Sequence, residues 1–93
     1  MNLEAISKIG FGAWNVNFIP AKETWKGYFS PDSIILTHPD SKYEIVIKDI
    51  KGEIVITSND GEDLDDVLEY TPDDKMSDQE IVDMIMEKIS GFL

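Results

Sequence analysis

The stretch Ser33–Ser58, SIILTHPDSKYEIVIKDIKGEIVITS, decides the fold of this chain. Three runs rich in Ile and Val (Ser33–His38, Tyr43–Ile50 and Glu53–Ser58) are broken by Pro39-Asp40-Ser41-Lys42 and by Lys51-Gly52. β-Branched residues favour extended backbone, whereas Pro, Gly, Asp and Ser favour turns, so the pattern reads as a three-strand meander. A two-residue loop at Lys51-Gly52 sets Ile47 opposite Ile56 and Ile45 opposite Ser58. A loop over Pro39–Lys42 sets Leu36 opposite Ile45 and Ile34 opposite Ile47. Both turns put Ile34, Leu36, Tyr43, Ile45, Ile47, Ile54 and Ile56 on one face. The other face takes Ser33, Thr37, Glu44, Lys48, Glu53 and Thr57, together with Ile35, Val46 and Val55. Because a one-residue slip would send the whole apolar set to the wrong side, agreement between two separate turns is a strong constraint on register.

Upstream, Trp14, Val16 and Phe18 alternate with Asn15 and Asn17, the period of a half-buried strand, and Pro20 ends it. A short helix over Asn2–Ile9 precedes it, with Leu3, Ile6 and Ile9 recurring about once per turn and Gly10 as its stop. Residues 20–32 have no clean period. Pro20, Gly27 and Pro31 punctuate them, and Trp25, Tyr28 and Phe29 read as a packed loop or short edge strand. Such aromatics serve as partner-binding anchors in some proteins; covering a sheet edge or one end of the core is the preferred reading here.

Downstream, Ser77 and Glu80 form a capping box, and Met76 with Ile81 completes a hydrophobic staple. Ile81, Val82, Ile85, Met86 and Ile89 then make a stripe suited to docking on a sheet, closed by Gly91. Between meander and helix, Asp63 is placed to cap a short helical turn with Leu64, Val67 and Leu68 inward and Pro72 at its end. The expected fold is α+β: an antiparallel meander sheet of three to five strands, with a short N-terminal helix and C-terminal helices packed on it. A chain of 93 residues with 42% hydrophobic content makes one domain, residues 1–93.

Composition narrows the chemistry. Without cysteine there is no disulfide framework, thiol nucleophile or Cys-based zinc site. No apolar run nears the roughly 20 residues of a membrane span. The opening MNLEAISKIG carries Glu4 before any basic residue and lacks a secretory apolar stretch, so a cytoplasmic location is expected. His38, the single histidine, stands at a strand end opposite Tyr43, and with no cysteine or evident partner it reads as a turn residue rather than a general base. Paired carboxylates are abundant, but acid–base work needs a cleft that raises one carboxyl pKa, and these acids lie in polar stretches. Asn59–Asp66 resembles a calcium loop, yet with Gly61 at the sixth position the first and twelfth fall on Ile56 and Val67, where acids are required. Neither a phosphate-binding glycine loop nor a dinucleotide turn appears. No enzyme activity, cofactor or metal is expected.

Charge is the distinctive feature. The chain holds 19 acids against 8 lysines, with no arginine, for a net charge of −11. Residues 1–59 carry seven acids and six lysines, while residues 60–93 carry twelve acids against Lys75 and Lys88, a net of −10. Direct nucleic-acid binding is disfavoured, since phosphates require cations that displace their counterions. Solubility accounts for a moderate negative charge, but repulsion this concentrated costs stability. The preferred reading is an acidic surface, concentrated in residues 60–87, that complements a basic partner. Its candidate residues are Asp63, Asp65, Asp66, Glu69, Asp73, Asp74, Asp78, Glu80, Asp83 and Glu87. Glu80, Asp83 and Glu87 are expected in a row on the last helix, and Asp65, Asp66 and Glu69 in a second row on the short helix.

In size, charge and α+β architecture the chain is similar to small acidic phage inhibitors of host nucleases and to immunity proteins of nuclease toxins. That similarity implies a protein-binding inhibitor whose acids mimic a nucleic-acid backbone and occupy the basic site of a nucleic-acid-binding enzyme. The alternative is a structural or accessory subunit of a larger assembly whose acids serve solubility. Neither reading calls for a membrane, and a monomer or homodimer fits both.

Overall fold

The computed structural model describes residues 2–23, 27–59, 64–70 and 75–92. The expected register is realised pair for pair. Strands β4 (Ser33–Thr37), β5 (Glu44–Ile50) and β6 (Glu53–Asn59) pair antiparallel, with Ile34 opposite Ile47, Leu36 opposite Ile45, Ile47 opposite Ile56 and Ile45 opposite Ser58. The β5–β6 turn carries positive φ at both Lys51 (54°) and Gly52 (84°), the conformation whose twist matches that of the flanking strands. The Asp49 carboxylate accepts the Gly52 N–H at 3.0 Å and pins it. The left-handed backbone is natural for glycine; lysine pays about 1 kcal/mol for it.

Strand β1 (Asn15–Ile19) lies beside β4 rather than beside its neighbour in sequence. The intervening chain leaves the sheet as a small ribbon of β2 (Lys22–Glu23) and β3 (Phe29–Ser30). The Ala21 N–H donates to the Asp32 carboxylate at 2.7 Å, tying the start of the ribbon to its return.

The fifth strand corrects one expectation. Residues Leu64–Tyr70 form β7, antiparallel to β6, and not a short helix. The sheet order is therefore β1-β4-β5-β6-β7. The ladder has Thr57 opposite Val67 but Asn59 opposite Leu64, so β7 contains one residue more than β6 over that interval. This is a β-bulge, which resets the two-residue period. Apolar residues at 64, 67 and 68 suit a helical turn, and they suit a bulged strand equally well. Pairing with β6 decides between them, because tertiary hydrogen bonding overrides so short a helical pattern. Asp63, the expected cap, lies outside the described residues, as does Pro72.

Both helices form where the sequence places them. Helix α1 (Leu3–Ile9) is capped by the Asn2 side chain, which accepts the Ala5 N–H at 3.2 Å, and Gly10 follows at φ 94°. Helix α2 (Asp78–Ile89) starts at Ser77 with both capping-box hydrogen bonds made. It ends by tightening into a 3-10 turn over Ser90–Phe92; Gly91 lies inside that turn and is not a left-handed stop.

The core lies between the sheet and the two helices. Ile34, Leu36, Ile45, Ile47, Ile54 and Ile56 are at most 2% exposed, facing Leu3, Ile6, Ile81, Val82, Ile85 and Ile89. Tyr43 and Met86, both expected inward, are partly buried against this cluster, and so is Met76 beside the α2 cap. Ile9, the last residue of α1, departs from its expected place at 41% exposure. On the opposite sheet face Ile35, Val46 and Val55 are half-buried, and no described helix lies over them.

Candidate functional site

The acidic residues were expected in two helical rows. On α2 the buried stripe of Ile81, Val82, Ile85 and Ile89 turns Glu80, Asp83 and Glu87 outward, all exposed. Spacings of three and four residues set successive Cβ atoms about 5–6 Å apart along one side of the helix. Two of the three also have local work. The Glu80 carboxylate accepts the Ser77 N–H at 3.3 Å as half of the capping box, and Asp83 accepts the Gln79 side-chain amide at 2.9 Å. Asp78, half-buried in the first turn, complements the positive end of the helix.

The second row is not helical. Asp65, Asp66 and Glu69 lie on β7, at the edge of the sheet, with Asp65 and Asp66 in the bulged interval and Glu69 opposite Val55. Acids on an edge strand discourage pairing with a second chain, a structural benefit that needs no partner. Asp63, Asp73 and Asp74 lie outside the described residues. The candidate surface thus has two parts of different geometry: a helical row on α2 and a strand edge at β7. Among the described residues no cluster of three His, Asp or Glu side chains is arranged to hold a metal ion.

His38 has a structural place. Its Nδ1 accepts the Asp40 N–H at 3.0 Å, and its carbonyl accepts the Ser41 N–H at 3.2 Å, closing the β4–β5 turn. Its ring meets the buried Trp14 edge-on, with centroids 5.0 Å apart. The strand stops one residue short of His38, at Thr37 opposite Glu44.

Sequence reasoning misplaced the aromatics of the ribbon. Tyr28 and Phe29 are 72% and 71% exposed, so they do not cover a sheet edge or close the core. Among the described residues β3 pairs with β2 in the ribbon and is not part of the main sheet's ladder. Trp25, grouped with them, lies outside the described residues. Ile50, at the end of β5, is also 44% exposed. The lack of period in residues 20–32 was the available signal: without a stripe, a segment offers no face to bury.

No described helix is long and apolar enough to cross a membrane. No family model, curated protein or solved structure matches this chain.

Proposed function

We propose that this chain is an acidic, non-enzymatic protein-binding module that occupies the basic site of a nucleic-acid-binding enzyme in the cytoplasm. The observation that carries the reading is the charge asymmetry: a net of −10 within residues 60–93 of a chain whose total is −11. The exposed row of Glu80, Asp83 and Glu87 presents part of that charge on a rigid helix. Its side chains leave the helix about 5–6 Å apart at Cβ, a repeating line of negative charge that, unlike a flexible tail, is held in place before binding. Such a surface would attract a basic channel over long range, bind fast, and compete with the nucleic acid for the same cations.

The test is capture from lysate at low salt followed by a salt gradient, with duplex DNA as competitor. Basic nucleic-acid enzymes that leave steeply with salt, are displaced by DNA, and fail to bind an Asp83→Asn/Glu87→Gln variant support the reading. Partners that persist at high salt and ignore DNA sink it, as does the absence of any salt-sensitive partner.

A second reading, an accessory subunit of a larger assembly, draws on the exposed Tyr28, Phe29 and Ile50. Aromatic side chains are frequent interface anchors. In that case Phe29→Ala abolishes capture and the amide variants leave it intact.

A further inference from the structure

A cleft of about 530 Å³ opens between the β2–β3 ribbon and the β5–β6 turn, a size within the range of small-ligand sites. Its walls are mainly apolar, with Phe29 and Ile50 contributing, and two acidic residues, Asp32 and Asp49, are among those that line it. Asp49 belongs to β5 and Asp32 immediately precedes β4, and they meet because of register. Ser33 stands opposite Lys48, so the next pair out is Asp32 with Asp49, and the Asp49 N–H donates to the Asp32 carbonyl at 3.3 Å. Directly opposed side chains have Cβ atoms about 4.5–5.5 Å apart, and like charges in that position repel. Each carboxylate accepts one backbone N–H, from Ala21 and from Gly52 respectively, which leaves acceptor sites on both.

Lys51 also lines the cleft, held there by a left-handed backbone that a lysine rarely adopts. It is a flexible cation at the rim of an otherwise anionic pocket, and an incoming cation would displace it.

We propose that this cleft binds an arginine side chain of a basic protein partner. The guanidinium would bridge Asp32 and Asp49, and its aliphatic stem would lie along Phe29. Charge complementarity selects a cation, paired carboxylates favour a planar multi-donor group over a point charge, and the apolar walls require a hydrocarbon stem. The proposal deepens the reading of the chain as a binder of basic proteins, at a surface separate from α2 and β7.

The test uses the intact chain and the blocked tripeptide acetyl-Gly-Arg-Gly-amide, followed by amide chemical shifts in heteronuclear NMR. The expected result is saturable shifts at Ala21, Phe29, Asp32, Asp49 and Lys51, with no such response to the citrulline analogue, which keeps the shape and loses the charge. Asp32→Asn and Asp49→Asn preserve the backbone hydrogen-bond acceptors, and each should weaken binding about tenfold. Lys51→Asn, which suits the turn and removes the competing cation, should tighten it several-fold, so a gain of binding guards against misreading a folding defect. Equal binding of the citrulline peptide, or no change in the Asp variants, overturns the proposal. Shifts confined to the α2 row around Asp83 and Glu87 overturn it too, while leaving the acidic-surface reading standing. Absence of shifts anywhere overturns the cleft alone, because the wider reading is decided by the DNA-competed capture.

Discussion

Ile47 and Val46 are adjacent on the central strand and face opposite sides of the sheet, which makes them a direct test of how burial is divided. Ile47 is fully buried, with Ile34 and Ile56 beside it in the ladder; Val46 is half-buried on the side with no described helix. Ile47→Ala deletes three carbons, about 2.4 kcal/mol of transfer free energy at roughly 0.8 kcal/mol per carbon. The residual cavity brings the loss to about 3–4 kcal/mol. A domain of this length has a total stability of about 5–14 kcal/mol, so the variant forfeits a large share of it. Its melting temperature should fall by roughly 12–32 °C, at about 4–8 °C per kcal/mol. Val46→Thr keeps the β-branched shape and adds a hydroxyl that water can reach, so it should cost under about 1 kcal/mol. Urea denaturation followed by the fluorescence of buried Trp14 measures both, with a constant m-value as the check that two-state unfolding persists. If Val46→Thr costs as much as Ile47→Ala, the second face is as dry as the first and the one-sided architecture is wrong. In that event a midpoint that rises with protein concentration would identify a second copy as the cover.

Three further outcomes follow from single features. Ser77→Ala removes one capping-box hydrogen bond directly and releases its partner, and should lower stability by about 1 kcal/mol in thermal melts. Ser58 is 1% exposed, and its hydroxyl has no hydrogen-bond partner among the described residues. Ser58→Ala should therefore raise the urea midpoint by the equivalent of about 1 kcal/mol, and a fall would reveal a partner for the hydroxyl. With a net charge of −11 the folded chain repels itself, so sodium chloride added up to about 0.5 M should raise the melting temperature, most steeply in the first tenth molar. A flat response would mean that the acids are already neutralised by local partners.

What was legible in the sequence follows from physical redundancy. The meander could be read because strand alternation and two turns specify the same register, and α2 because its cap and apolar stripe agree. Residues 64–70 defeated the reading because a bulge interrupts the one regularity by which strands are recognised. The acidic surface was legible as charge but not as shape: composition counts carboxylates without saying whether a helix or a sheet edge carries them. The cleft was out of reach. Asp32 and Asp49 are 17 positions apart in sequence, and only a correct register, extended one step past its last ladder pair, brings them face to face.

The two helices that close the core belong to opposite ends of this sequence, and they touch one another over the sheet. Even the turn after α1 is fitted to α2, since a side-chain carbon at Gly12 would lie 3.1 Å from the Met86 methyl. Synthesis delivers these halves in the wrong order for independent folding. A nascent chain that has emerged only as far as β6 holds the residues of α1 and the meander, yet Ile54, Ile56 and Leu3 still lack the Ile81, Val82 and Ile85 that share their core. Until α2 leaves the ribosome the half-built sheet is a greasy surface open to chaperones and proteases. A truncation before Ile81, which removes the apolar stripe of α2, should therefore abolish accumulation of the protein, instead of merely lowering its negative charge.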